Sequence, residues 1–381
     1  MLFVLPGMIV LGILSWVYVR YQNASFIAAT FFGLKAAMLA IVIEAVVRIG
    51  RRALKSRFHL VLAGASFLAI YAFGVPFPWL VLAAAVIGLA FGRSANATAS
   101  SPSTATEAND YVIDRMVENG LAHHLAPKWK PAVRTTVACL VLWVGPLIAA
   151  SLWLGSDHIV TREGWFFSQA AVVTFDGAYA VLAYVAQHAV DDLGWLRPGE
   201  MVDGLALAET TPGPLIIILQ FVGFVAAHRL PGSLDPWLAA CLGALMTTWV
   251  TFVPSFLFVL VGAPFVESIS RAPTLRAALS AITAAVVGVV LNLSVWFALH
   301  KIFRHTAIRS IGIARFEVPV WSSVNALALL IAAAALLATL RFKVPLGWLL
   351  LGSLLAGWAA WAWRYVAQVS ALGGSGHPRA V

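Results

Sequence analysis

Apolar runs long enough to cross a bilayer recur along the whole chain, near residues 2–19, 25–49, 58–73, 76–92, 133–154, 165–190, 201–228, 236–262, 277–300, 319–340 and 345–366. About 20 apolar residues suffice for one helical crossing. Lipid offers the backbone no hydrogen bonds, so runs of this length fold as helices. The expected fold class is therefore an all-α polytopic membrane protein of about 11 transmembrane segments. Composition agrees: 61% of residues are hydrophobic and 11% charged, and a mean hydropathy of +0.90 lies far outside the range of soluble domains. The net charge of +9 does not point to nucleic acid, because the basic residues sit in short loops beside apolar runs. Arg48 to Arg57 holds five bases and no acid, which places that loop in the cytoplasm by the positive-inside rule. The first apolar run lacks a basic leader and a cleavage site, and reads as a retained span.

One run is not a plain anchor. Gly204 to Phe224, GLALAETTPGPLIIILQFVGF, carries Glu209, Thr210, Thr211, Pro212-Gly213-Pro214 and Gln220. Proline removes a backbone donor and clashes with the preceding turn, so the helix must break at Pro-Gly-Pro. Broken helices at membrane depth occur where protein or a water-filled cavity covers the freed backbone, and their amino termini aim amides at anions. Thr210 and Thr211 have hydroxyls to donate, and the amides beyond Gly213 are free to face an oxyanion. Glu209 either carries a coupling proton or caps the following half-helix. Gln220 either offers an amide to the same anion or bonds between helices.

Three further residues attract notice. Asp176-Gly177 interrupts the 165–190 run; Gly177 allows an unusual backbone beside the anion site, and Asp176 either joins ion coupling or lines a polar cavity. Lys35 lies too deep in 25–49 to snorkel, and so either lines an anion path or pairs with a buried acid. Glu44 and Arg48, four apart, read as a structural pair. Cys139 and Cys241 both fall in apolar runs, where packing explains them. The histidines are scattered with no H-x-x-x-H pair beside acids, and no GxxxxGK[ST] occurs. Neither an enzyme, a metal site nor a cofactor is expected.

The chain also repeats itself. A shift of 248 residues aligns FVLPGMIVL (3–11) with TFVPSFLFV (251–259) and GLKAAMLAIV (33–42) with AITAAVVGVV (281–290). A shift of 269 aligns FGVPFPWLVL (73–82) with FKVPLGWLLL (342–351). The reading is two homologous halves: a repeat at 1–92 and a complete one at 163–369. A polar linker (93–132) and a connecting helix (133–162) join them, and a polar tail (370–381) follows. Counting spans favours inverted halves, unless 201–228 is re-entrant, which would make them parallel. The first repeat lacks counterparts of the 165–190 and Pro-Gly-Pro runs; either the protein is asymmetric or its amino terminus is truncated.

GLALAETTPGPLIIILQFVGF, AVVTFDGAYAVLAYVAQHAV (171–190) and LSAITAAVVGVVLNLSVWFALH (279–300) together resemble the chromate ion transporter (CHR) family. LFVLPGMIVLGILSWVY and FFGLKAAMLAIVIEAVVRIGRRAL resemble the later part of that family's first half. The resemblance implies a multi-pass protein of the bacterial inner membrane that exports chromate, a tetrahedral dianion shaped like sulfate, driven by the proton gradient. Its partners would be chromate or a sulfate-like oxyanion and the lipid bilayer, with homo-oligomerisation compatible and nucleic acid excluded. Two departures stand out. The family has Gly-Gly where this chain has Asp176-Gly177, and its long members open with first-half versions of the Gly-rich and Pro-Gly-Pro motifs. The expectation from the second is a misplaced start codon or a gene fragment, holding half a site.

Overall fold

The computed structural model describes residues 4–22, 24–97, 129–173, 178–312 and 314–373. Asp176, Gly177 and most of the 93–132 linker and 370–381 tail lie outside these residues. Among the described residues, five helices are long and apolar enough to cross a membrane, and six shorter apolar helices lie with them among the helices α1 to α13. In chain order they begin with α1 (Leu5–Tyr21), α2 (Ser25–Ala53), α3 (Arg57–Phe73), α4 (Phe77–Ala97) and α5 (Trp129–Leu154). Then follow α6 (Ile159–Val173), α7 (Ala178–Ala186), α8 (Pro198–Thr210), α9 (Ile218–Arg229), α10 (Pro236–Arg271) and α11 (Pro273–Ile302). Two strands, β1 (Thr306–Ile311) and β2 (Ala314–Pro319), precede α12 (Ala326–Leu340) and α13 (Leu346–Gly373).

Local chemistry sets most boundaries. Ser56 caps α3 by accepting from His59 N, and Gly74, at φ 60°, closes its far end before Pro76. Pro198 opens α8, whose Glu200 carboxylate accepts from Arg197 N at 2.7 Å. Asn325 accepts from Ala328 N and starts α12.

The all-α expectation is corrected at 306–319, which forms an antiparallel β-hairpin pairing Thr306 with Pro319 through to Ile311 with Ala314. Its turn begins at Gly312 with φ 62°, the conformation a two-residue hairpin loop demands. Backbone bonds satisfied between two strands let the segment leave helix, and Tyr71 of α3 anchors it by donating to Glu317 O at 2.6 Å. The run expected at 319–340 therefore begins helical structure for good only at Ala326.

The two interrupted runs fold back on themselves. Arg229, at the end of α9, bonds Glu200, near the start of α8, at 2.7 Å, while Phe221 packs over Gly204. Helices α8 and α9 are thus antiparallel, with residues 211–214 at the tip. Phe166 of α6 stacks on Tyr184 of α7 at 5.5 Å and meets Trp195 edge-on, so that pair is antiparallel too. Neither 165–190 nor 201–228 is one straight helix.

Helices α2 and α11 are the buried centre of the bundle; their most apolar windows are each 61% buried. They run antiparallel: Lys301 donates to Phe32 O at 2.7 Å at one end, and Gly50 meets Val287 at the other. Helix α2 packs against α12 and α13, and α11 packs against α3 and α4. The crossings rely on small residues, as membrane helices do. Gly357 lies on Ala29 and Gly33, and Gly88 lies on Ala277, Ala278 and Ala281. Outward, Val61, Trp79, Leu152, Trp153 and Trp348 are exposed, an apolar belt suited to lipid.

Candidate functional site: a basic vestibule above a broken helix

The break dictated by Pro-Gly-Pro is present. Helix α8 stops at Thr210, Gly213 adopts φ 148°, and a 3₁₀ turn at Leu215–Ile217 starts the return into α9. The tip rests on α1, where Gly7 lies so close to Pro212 O that a Cβ would come within 2.7 Å. Among the described residues, the amides of Gly213, Leu215 and Ile216 donate to no backbone carbonyl. Thr210, Pro212 and Gly213 are exposed. The break thus leaves amides at the tip outside the backbone hydrogen-bond ladder.

A cavity of about 540 Å³ leads to this region. Its floor is Glu209, Tyr179 and Leu215; its wall is the α2 face bearing Glu44, Arg48 and Arg52. An adjoining space of about 420 Å³ adds Arg51 and Lys343. Glu209 accepts from Tyr179 OH at 3.0 Å. Glu44 and Arg48 form the expected i,i+4 pair at 3.5 Å, but both are partly exposed and face the cavity, so the pair lines the path as well as bracing the helix. Four cations against Glu44 at the mouth give the vestibule a positive field that gathers anions.

The expected site residues do not all converge. Glu209 and Leu215, which flank the Thr210–Pro214 tip, line the cavity, while the tip residues themselves do not. Both threonine hydroxyls donate to Leu207 O, at 2.8 and 2.7 Å, ending α8 rather than pointing outward. Gln220 is held at both ends, donating to Met8 O at 2.8 Å and accepting from Thr248 at 3.3 Å, and so ties α9 to α1 and α10. Lys35 is paired with Asp203 of α8 at 3.0 Å, and Tyr18 donates to the same carboxylate oxygen at 2.9 Å. Asp203 stands six residues before Glu209, roughly 9 Å along the helix, so Lys35 is clear of the tip.

Sequence reasoning missed Asp203, Tyr179, Arg52 and Glu163. Asp203 carried the signal already applied to Glu209, an acid inside an apolar run; Glu163 lies just before the 165–190 run and carried none. Tyr179 and Arg52 had none, since only folding carries them to the cavity.

An apolar outer belt, antiparallel central helices and paired helical hairpins with a polar break define a multi-pass membrane protein. The profile of the chromate transporter family matches residues 1–89 and 162–358, and the chain belongs to that family. A chromate transport protein of Pseudomonas aeruginosa is 30% identical over 293 residues, covering 76% of this chain and 60% of the relative. One from Cupriavidus metallidurans is 25% identical over 295 residues, covering 76% and 61%. The chain thus spans about three fifths of the length of these relatives. No solved structure matches it.

Proposed function

We propose that the chain is a secondary transporter that exports chromate across the bacterial inner membrane, coupled to the proton gradient. The observation that carries this is the basic vestibule lined by Glu209 and Leu215, the residues on either side of the Thr210–Pro214 break. The dianion is gathered by Arg48, Arg51, Arg52 and Lys343, and held at the tip by the amides of Gly213, Leu215 and Ile216. Glu209 takes up a proton as the dianion approaches, because like charges in a partly desolvated site oppose each other. The membrane potential assists export: moving two negative charges out of a negative interior gains ~4.6 kcal/mol per 100 mV.

The architecture proposed is a pair of inverted repeats, 1–92 and 163–369, with nine crossing helices and two re-entrant hairpins. Contacts support it. The repeat shifts relate Ala29, Gly33 and Gly88 to Ala277, Ala281 and Gly357, and under them the two glycine crossings exchange. The antiparallel run of α2 and α11 supports inversion, and re-entry of both hairpins leaves the parity of the halves unchanged. Lys301, which opens a later segment that also carries Arg304, Arg309 and Arg315, sits over the Phe32 ring at 4.0 Å and so is not a free loop charge.

The same donors would accept sulfate, since both are tetrahedral dianions, so the test includes both. Chromate and sulfate accumulation are measured in cells lacking their own exporter, with the chain, with Glu209→Gln, and with an empty vector. Lower chromate accumulation, abolished by Glu209→Gln, with sulfate unchanged, is the expected result. A sulfate effect of equal size would reassign the substrate. No effect of the chain on either anion refutes independent transport and favours a partner-dependent fragment.

A further inference from the structure

Glu163 on α6 is fully buried, yet neither carboxylate oxygen has a hydrogen-bond partner among the described residues. Its Oε2 lies 2.7 Å from the point a Cβ on Gly243 of α10 would occupy, and Gly223 O of α9 lies equally near that point. Thr247, one turn further along α10, is also fully buried with an unpartnered hydroxyl, and it packs directly over Gly223. Two glycines thus let α9 and α10 approach closely, and the seam they share with α6 holds a carboxyl, a hydroxyl and the carbonyls of Gly223 and Gly243.

Among the described residues, no ion pair reaches this acid. The charged and titratable groups on neighbouring elements are engaged or directed elsewhere. Arg229 of α9 bonds Glu200 and Trp195 O. His188, beyond α7, bonds Tyr184 O and pairs with Asp192, and His158 bonds Pro231 O. His228 of α9 meets Trp237 edge-on at 4.6 Å. Arg134 of α5, Arg162 of α6 and Cys241 of α10 are exposed. An ionised carboxylate without donors or a counter-ion is among the costliest groups to hold inside a membrane protein. A protonated one is not, because its O–H can donate to a seam carbonyl. Packing also argues for a proton over a larger cation. A Cβ on Gly243 would meet Ala227 Cβ at 2.6 Å, so the seam has little room for an ion with its ligands.

We propose that Glu163 is a proton-binding site of the transport cycle, loaded in this state and emptied when the α6/α7 and α8/α9 hairpins part from α10. On opening, the carboxyl O–H bond breaks, the carboxylate remains on Glu163, and the proton passes to water entering the seam. The assignment rests on the proton-coupled reading above and adds a second acid to it. Glu209 lies at the hairpin tip on the vestibule side, whereas Glu163 lies near the opposite end of the same hairpin layer.

The test uses the purified chain in proteoliposomes, as wild type, Glu163→Gln and Thr247→Val. Chromate flux is measured under an imposed pH gradient and, separately, a sodium gradient, with equilibrium chromate binding alongside. Infrared spectra report protonated carboxyl groups by their C=O stretch. The wild type should respond to the pH gradient and show a carboxyl band that exchanges in D2O only once chromate is added. Glu163→Gln should lose that band and at least tenfold of the gradient response, with chromate binding within about twofold of wild type. Thr247→Val should keep the band and bring its exchange forward to before chromate is added. A Glu163→Gln protein that keeps the wild-type gradient response refutes the assignment alone, as does a response to sodium in place of protons. A wild type without a protonated carboxyl refutes it even if the variants do not fold. A wild type indifferent to the pH gradient refutes the coupled reading and this assignment together.

Discussion

Replacing Lys35 by methionine removes one charge of the Lys35–Asp203 pair and leaves its volume largely filled. Asp203 is 6% exposed at its side chain and keeps one hydrogen bond, from Tyr18 at 2.9 Å; its other oxygen has no partner among the described residues. Breaking a buried pair from one side costs ~3–5 kcal/mol, because the remaining charge is uncompensated. Lys35 is itself 23% exposed, so water reaches the gap and the low end, about 3 kcal/mol, is expected. Removing both charges in Lys35→Met/Asp203→Asn should return stability to within about 1 kcal/mol of wild type, a recovery of about 2 kcal/mol over the single variant. Thermal unfolding in detergent, followed by size-exclusion chromatography, reads the order wild type ≈ double variant > single variant. A single variant as stable as wild type, or a double variant no better than the single, refutes the reasoning. Chromate binding by the stable double variant then decides the residue's role. Retained binding leaves Lys35 as a structural partner of Asp203, and lost binding returns it to the anion path.

Three other outcomes follow from the geometry. Gly33→Val should prevent assembly of α2 with α13, because any Cβ there overlaps the Ser353 carbonyl; folded yield in detergent checks it, and normal yield would refute the crossing. Gly213→Ala forces a side chain into φ 148°, at a cost of ~1–3 kcal/mol, and should weaken chromate binding while leaving helix content unchanged by circular dichroism. Arg52→Ala should slow chromate uptake at low ionic strength by up to about tenfold and flatten its salt dependence, since the guanidinium acts at the vestibule wall as a steering charge.

The break at Pro212-Gly213-Pro214 was legible because two residues without an amide proton allow no continuous helix in any environment. The spans were legible for a similar reason: a bilayer accepts little else from such apolar runs. The β-hairpin at 306–319 was masked by its position between apolar helices, although Gly312 between alternating residues was a usable turn signal. Gln220 and Lys35 illustrate the harder limit. Each had two readings of similar weight, and nothing local could choose, because their partners Met8, Thr248 and Asp203 lie on other helices.

Apolar length, proline chemistry and basic loops, all properties of short segments acting against lipid and water, determined from the sequence alone that this chain is a multi-pass membrane protein with one helix broken at a polar tip. Which hydroxyls remain free, which acids find cations, and that both interrupted runs fold into antiparallel helix pairs were decided by tertiary structure. The reason is physical: a buried charge or donor is defined by what packs against it. Glu209 and Glu163 are the same residue type, yet one faces a basic cavity and the other a close-packed seam of glycines.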